Sequence, residues 1–176
     1  MNKKDIFRDI IHPIFRIRRF NNRCIRDFAK GVRNKRILEL GSGKKYKGRH
    51  DYSAKFFFDN SNEFIQSDIV QAYGHEIVDV TNMKYGDEFD VILCANVLEH
   101  VFDFRKAIEN IHKALKPNGT AIIFVPAFYP LHDEPTDYWR FTEHSIRKLL
   151  QKFNKVRIKH KGIRQYPFAY CIEATK

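Results

Sequence analysis

The chain has 176 residues, 43% of them apolar, and a formal net charge of +11 from 32 Lys and Arg against 21 Asp and Glu. That length suits one compact domain, and sixteen Phe with eight Tyr supply enough apolar surface to exclude a wholly disordered basic tail. No apolar stretch approaches the roughly 18–20 residues of a membrane span, and no signal-peptide pattern is visible. Cys24, Cys94 and Cys171 lie far apart, which fits neither a disulfide set nor a metal knuckle and points to a reducing, cytoplasmic compartment.

The charge is concentrated at one end. Residues 1–36 hold twelve Lys or Arg and three acids, a net +9, which leaves +2 for the other 140 residues. Such a segment favours phosphates or anionic lipid headgroups, or serves only as a solvated face. Within it, Ile6, Phe7, Ile10, Ile11, Ile14 and Phe15 recur at helical spacing over 4–20, with Pro13 as a break or kink. A second short helix is expected over 22–31, stopping near Gly31. Residues 1–35 are therefore set apart as a basic amphipathic helical extension ahead of a domain over 36–176.

From residue 36 the period changes. Arg36–Leu40 reads as a short strand running into Gly41, Ser42 and Gly43, and 44–63 is polar and turn-rich. A strand at 64–67 runs into Asp68, and a short apolar run over 77–80 contains Asp79. Phe89–Asn96 is continuously apolar rather than alternating, the pattern of a strand buried on both faces. Residues 104–116 form the clearest helix, stopped by Pro117 and Gly119. A buried strand follows at 120–125. Thr142 is placed to N-cap a helix with the stripe Ile146, Leu149, Leu150 and Phe153. Two alternating strands near 155–161 and 167–174 close the chain. Strands alternating with helices imply an α/β domain with a mostly parallel sheet and an edge hairpin.

In open parallel sheets ligands bind where strands end, near the switch in strand order. The segments following the first four strands are Glu39-Leu40-Gly41-Ser42-Gly43, Asp68, Asp79, and Asn96-Val97-Leu98-Glu99-His100. Glycines there let the backbone turn tightly and approach a ligand, and a carboxylate beyond the second strand suits a ribose diol. A nicotinamide-binding fingerprint fails, because Tyr46 stands where its third glycine belongs.

These phrases resemble the class I S-adenosylmethionine-dependent methyltransferases: ILELGSG (37–43), QSDI (66–69), DVTNM (79–83), FDVILCANVLEHV (89–101) and ALKPNGTAIIFVP (114–126). YPLHDEPTDYWRFTEHSIRKLL (129–150) resembles a bacterial and archaeal subgroup associated with sugar and surface-polysaccharide pathways. The resemblance implies a Rossmann-like fold with a mostly parallel seven-stranded sheet, an antiparallel C-terminal hairpin, and S-adenosylmethionine as cofactor. It further implies that Glu39, Gly41 and Gly43 line the methionine side, with Asn96 at the cofactor site. Asp68 would hold the ribose hydroxyls and Asp79 the adenine amino group, with Val80 against the ring. The departure is Lys44–Lys45 in place of a third glycine, followed by a stretch that forms helix poorly.

Methyl transfer to an alcohol needs alignment and a base. His132 or Asp137 is expected to deprotonate the acceptor, with Tyr138, Trp139 and Arg140 shaping its pocket or packing structurally. His100 either shares the chemistry or fixes its loop. The remaining histidines show no ligand spacing, and no metal is expected. Methylation of exocyclic base amines is disfavoured because no proline follows Asn96, and cytosine-carbon methylation because Cys94 lies inside a strand. The expected reaction is O-methylation of a sugar, a lipid-linked glycan or a small metabolite. Residues 1–36 then offer peripheral contact with an anionic membrane. The competing readings are a quinol or carboxylate methyltransferase, and a degenerate fold that binds nucleic acid or a partner.

Overall fold

The computed structural model describes residues 3–44 and 53–176, with side chains from residue 16 onward. Seven strands form one sheet: β1 (Arg36–Leu40), β2 (Glu63–Asp68), β3 (Glu76–Ile77), β4 (Phe89–Ala95), β5 (Leu115–Pro126), β6 (Lys155–Ile163) and β7 (Tyr166–Thr175). Their order is β3-β2-β1-β4-β5-β7-β6. The five on the β3 side run parallel, while β7 is antiparallel to both β5 and β6. The expected class I arrangement, edge hairpin included, is present. Strand order switches between β1 and β4, so their carboxyl ends open a crevice.

The continuous apolar runs are explained by burial on both faces. Leu38, Ile92, Cys94, Ala121, Ile123 and Ile172 point to one side, under the helices α2 (Phe104–Ala114) and α3 (Glu143–Leu149). Ile37, Val91, Leu93, Ile122, Phe124 and Cys171 point to the other. That second side is covered by the N-terminal helix α1 (Lys3–Ala29) through Cys24, Ile25 and Ala29, with Val32, Ala54 and Phe58 beside them. The segment set apart in the sequence thus contributes side chains to the core of the sheet. All three cysteines are free and buried.

Three boundaries differ from expectation. One helix, Lys3–Ala29, replaces the two expected over 4–20 and 22–31, because helical hydrogen bonding runs through Asn21-Asn22, where low propensity is only a weak stop signal. The helix expected to reach 116 ends at Ala114, since Pro117 forces Lys116 out of helical conformation. The chain enters β5 there, five residues early, with a register shift opposite Phe89 and Val91. The run 77–80 pairs only over Glu76–Ile77 and turns away to present Asp79. Thr142 caps α3 as expected: its hydroxyl accepts from the Ser145 amide at 3.2 Å, and Ser145 Oγ accepts from the Thr142 amide at 3.0 Å. Lys45 and residues 46–52 lie outside the described residues. The described part of the β1–β2 connection holds one short 3₁₀ turn, Lys55–Phe57. No helix among the described residues is long and apolar enough to cross a membrane.

Candidate functional site

A cleft of about 550 Å³ opens at the carboxyl ends of β1, β2 and β4. Gly41, Gly43, Asp68, Asp79, Val80 and Asn96 line it, so six of the seven residues expected around the cofactor meet there. Both glycines adopt positive φ, +72° and +68°. A Cβ on Gly41 would stand 2.4 Å from Val97 Cγ2, so only glycine passes under that side chain without displacing it.

The two aspartates are held differently. Asp68 is buried and accepts from the Gly43 amide at 2.9 Å and the Val70 amide at 3.0 Å, which ties the glycine loop to the end of β2. Asp79 is exposed, and one oxygen accepts from the Thr81 amide and hydroxyl. Val80 is buried beside it. Asn96 sits in left-handed backbone at φ +55° and its Oδ1 accepts from Asn21 of α1 at 3.4 Å, so the N-terminal helix reaches the cleft rim.

Glu39 does not line the cleft. Its carboxyl is buried and accepts from Ser42 Oγ, Ser53 Oγ and the Ala54 amide. Burial pushes its pKa up against these three donors. Its position on β1 makes it the clamp for both ends of the glycine-loop connection.

The opposite wall of the cleft comes from two loops. The β4–α2 connection carries Glu99, His100 and Phe102, and the loop after β5 carries His132, Asp133, Asp137 and Tyr138. The Glu99 carbonyl joins the loops by accepting from the amides of Tyr138 and Trp139. His100 lines the cleft, and its ring lies 4.8 Å from that of His132, edge to face. Asp133, Phe102 and Tyr138 complete that wall.

Asp137 requires a correction. Its side chain is 0% exposed, and both oxygens are taken by the Arg140 guanidinium at 2.7 Å each. Oδ2 also accepts from the His132 amide at 2.9 Å. The paired guanidinium holds its pKa well below the carboxylate range, so it cannot serve as a base near neutral pH. Asp137 is a positioning residue. Arg140 also donates to the carbonyls of Tyr129, Pro130 and Trp139, which locks the loop. Trp139 is structural: its indole donates to the Val101 carbonyl at 3.2 Å and its ring meets Phe104. Of the three expected pocket-shaping residues, only Tyr138 faces the cleft.

Glu99, to which the sequence alone assigns no role, is fully buried. The available signal was a carboxyl adjoining a candidate histidine at a strand end. Phe102 is exposed on the cleft wall and meets the Tyr138 ring edge-on at 5.4 Å.

Cleft size and donor chemistry suit the cofactor. Ligand pockets usually run about 300–1,000 Å³, and the strand-end carboxylates supply acceptors for hydroxyl and amino groups.

The family described as methyltransferase domain matches residues 14–160. Among curated relatives, the tRNA U34 carboxymethyltransferase of Sulfurimonas denitrificans is 36% identical over 78 residues, covering 44% of this chain and 24% of that protein. The probable polyketide synthase 15 of Dictyostelium discoideum is 31% identical over 77 residues, 41% of this chain and 2% of that protein. The chain therefore spans only a small part of either relative. A solved S-adenosylmethionine-dependent methyltransferase from Archaeoglobus fulgidus shares the fold at a TM-score of 0.65 and 15% identity, covering 99% of this chain and 100% of that one. So does the Burkholderia thailandensis 1,6-didemethyltoxoflavin-N1-methyltransferase, solved with S-adenosylhomocysteine, at 0.63 and 21%, covering 89% and 78%. With the family matching most of its length, this chain belongs to the methyltransferase-domain family.

Proposed function

We propose that the protein O-methylates a small hydroxyl-bearing acceptor, a sugar or comparable metabolite, free or carried on a lipid. The observation that carries this reading is the pair His100–His132 beside the cofactor cleft. His100 Nδ1 lies 2.9 Å from the Thr136 carbonyl, while His132 Nδ1 lies 3.1 Å from Asp137 Oδ2 and 3.3 Å from the Pro130 carbonyl. Oxygen acceptors at both Nδ1 atoms fix the proton there and leave each Nε2 with a free lone pair. An oxygen acceptor needs such a group, because its hydroxyl must lose a proton as the new bond forms.

S-adenosylmethionine, when bound, supplies an electrophilic methyl group on a sulfonium. The chain's own residues then align the acceptor. Gly41 and Gly43 bring backbone close to the cofactor, and Asp68 and Asp79 accept from its hydroxyl and amino groups. Phe102 and Tyr138 offer flat faces for the acceptor ring. Loss of His132 is expected to lower turnover by about 10²–10⁴-fold with cofactor affinity unchanged. A His132→Ala enzyme with full turnover on an accepted sugar or phenol would overturn the reading, as would methyl groups found only on nitrogen or carbon.

A lipid-carried acceptor is favoured by one further observation. Arg16, Arg19, Arg23 and Arg26 are exposed on α1, whose opposite face packs on the sheet. The acceptor would then be met at an anionic, cytoplasm-facing membrane surface. Sedimentation with anionic vesicles at low salt tests this, and indifference to the lipid would leave only the soluble acceptor.

A further inference from the structure

Glu99 is the least expected group in the molecule. It is fully buried, and neither carboxyl oxygen has a hydrogen-bond partner among the described residues. Buried polar atoms are rarely left so, because an unpaired donor or acceptor forfeits its hydration without replacement.

Two imidazoles stand next to it. One ligand atom from each of Glu99, His100 and His132 can be chosen so that all three lie within 4.8 Å of one another. Both rings have Nδ1 committed, one to a backbone carbonyl and the other beside a carboxylate that Arg140 holds in place. Metal-binding histidines are commonly oriented in this way, with the outer nitrogen on a carbonyl or carboxylate and the inner one free to ligate.

We propose that Glu99, His100 and His132 form a binding site for a divalent transition cation such as Zn²⁺, Mn²⁺ or Fe²⁺. Two neutral imidazoles and one carboxylate suit these ions better than Mg²⁺ or Ca²⁺, which favour oxygen donors. Metal–ligand bonds of about 2.0–2.2 Å separate the donors by about 3–4 Å, so side-chain rotations of order 1 Å close the set. The cation's charge would offset the buried carboxylate. Three protein ligands would leave coordination positions open, and of the three His100 lines the cleft.

The ion's chemical role rests on the hydroxyl-acceptor reading, although its binding does not. An acceptor oxygen held at an open position would give up its O–H proton to water, keep the electron pair, and form the O–CH3 bond as the methyl–sulfonium bond breaks, the electrons of that bond staying on sulfur. A bound divalent ion lowers the pKa of an oxygen ligand in this way. The two histidines then act as ligands, and the ion does the work otherwise given to an imidazole base. The ligands fall at 99, 100 and 132, a spacing that only the contact of two loops makes meaningful, so local sequence shows no metal site.

The full chain, carrying no histidine tag and stripped with chelator, should be titrated with Co²⁺ followed by visible absorption, and with Zn²⁺ and Mg²⁺ by calorimetry. The expected result is one Co²⁺ or Zn²⁺ per chain with ligand-field bands, Mg²⁺ binding far weaker, and at least about a hundredfold loss in Glu99→Gln and in His132→Ala. Retained S-adenosylmethionine binding by each variant shows that it is folded; if one fails, His100→Ala replaces it. Absent ligand-field bands, or affinities unchanged in folded variants, overturn the site. No acceptor enters this titration, so its failure leaves the hydroxyl reading with a histidine base. Failure of the hydroxyl reading leaves the cation site untouched.

Discussion

The two halves of the cleft are built by different means. The donor half is local: Gly41 and Gly43 end β1, Asp68 ends β2, and Asp79 follows β3 by two residues. Each is placed by the strand that precedes it, and the parallel sheet aligns those ends without further help. The acceptor half depends on two loops that approach only in the folded chain, joined by bonds to the Glu99 carbonyl and locked by Arg140 on Asp137. Damage to the first should therefore be read in cofactor binding. Damage to the second should be read in stability and turnover together.

The strongest test of that contrast is Asp137→Ala. It removes a fully buried carboxylate from a bidentate pair and leaves the Arg140 guanidinium without its partner. The cost should be about 3 kcal/mol, the lower end for a broken buried pair because Arg140 is partly exposed. Denaturant unfolding measures it. A loss within experimental error would mean that the acceptor loop does not depend on this pair.

Gly41→Ala probes the donor half at its tightest point. Positive φ alone costs about 1–2 kcal/mol for a residue with a Cβ, and Val97 must move as well. Cofactor affinity in calorimetry should drop at least about tenfold, equivalent to 1.4 kcal/mol. Unchanged affinity would show that the cofactor does not depend on this close backbone approach.

Asp79→Ala sharpens the same half. Asp79 is exposed and bonds only its own turn, so unfolding stability should stay within about 0.5 kcal/mol while cofactor affinity falls about tenfold. A variant that melts early without losing affinity would reverse the assignment.

Asp90, on the sheet away from both halves, should show the smallest effect. Partial burial raises its pKa, but Lys116, the Arg36 amide and Lys35 outweigh it and hold the group below the usual aspartate value. A carboxyl with a depressed folded-state pKa contributes stability above its unfolded pKa and loses it as pH falls through the folded value. Wild type should therefore lose up to about 1 kcal/mol below about pH 4 that Asp90→Asn does not. Parallel acid titrations of the two proteins would expose any other origin of the loss.

Much of this was legible before folding. Ile92 and Ile123 lie in unbroken apolar runs that can only be strands covered on both faces, and Thr142 announces a helix start by its own chemistry. Gly41, Asp68 and Asp79 could be named because a strand end is a local feature with a known place in an open sheet. Glu39 could not be read correctly, since the donors that turn its carboxyl inward, Ser53 and Ala54, lie fourteen and fifteen residues away across a turn-rich stretch. Asp137 was likewise misread: its nearness to Arg140 in sequence gave no sign that both of its oxygens would be taken.

What the sequence by itself determined is the sheet and its order of strand-end acids, because alternation and strand termination act over a few residues. What only the tertiary structure decided is the acceptor corner. It buried Glu99 without a partner, set His100 against His132, and turned the basic N-terminal helix inward to cover a sheet face. Those outcomes depend on which distant surfaces exclude water from one another, and no local pattern carries that information.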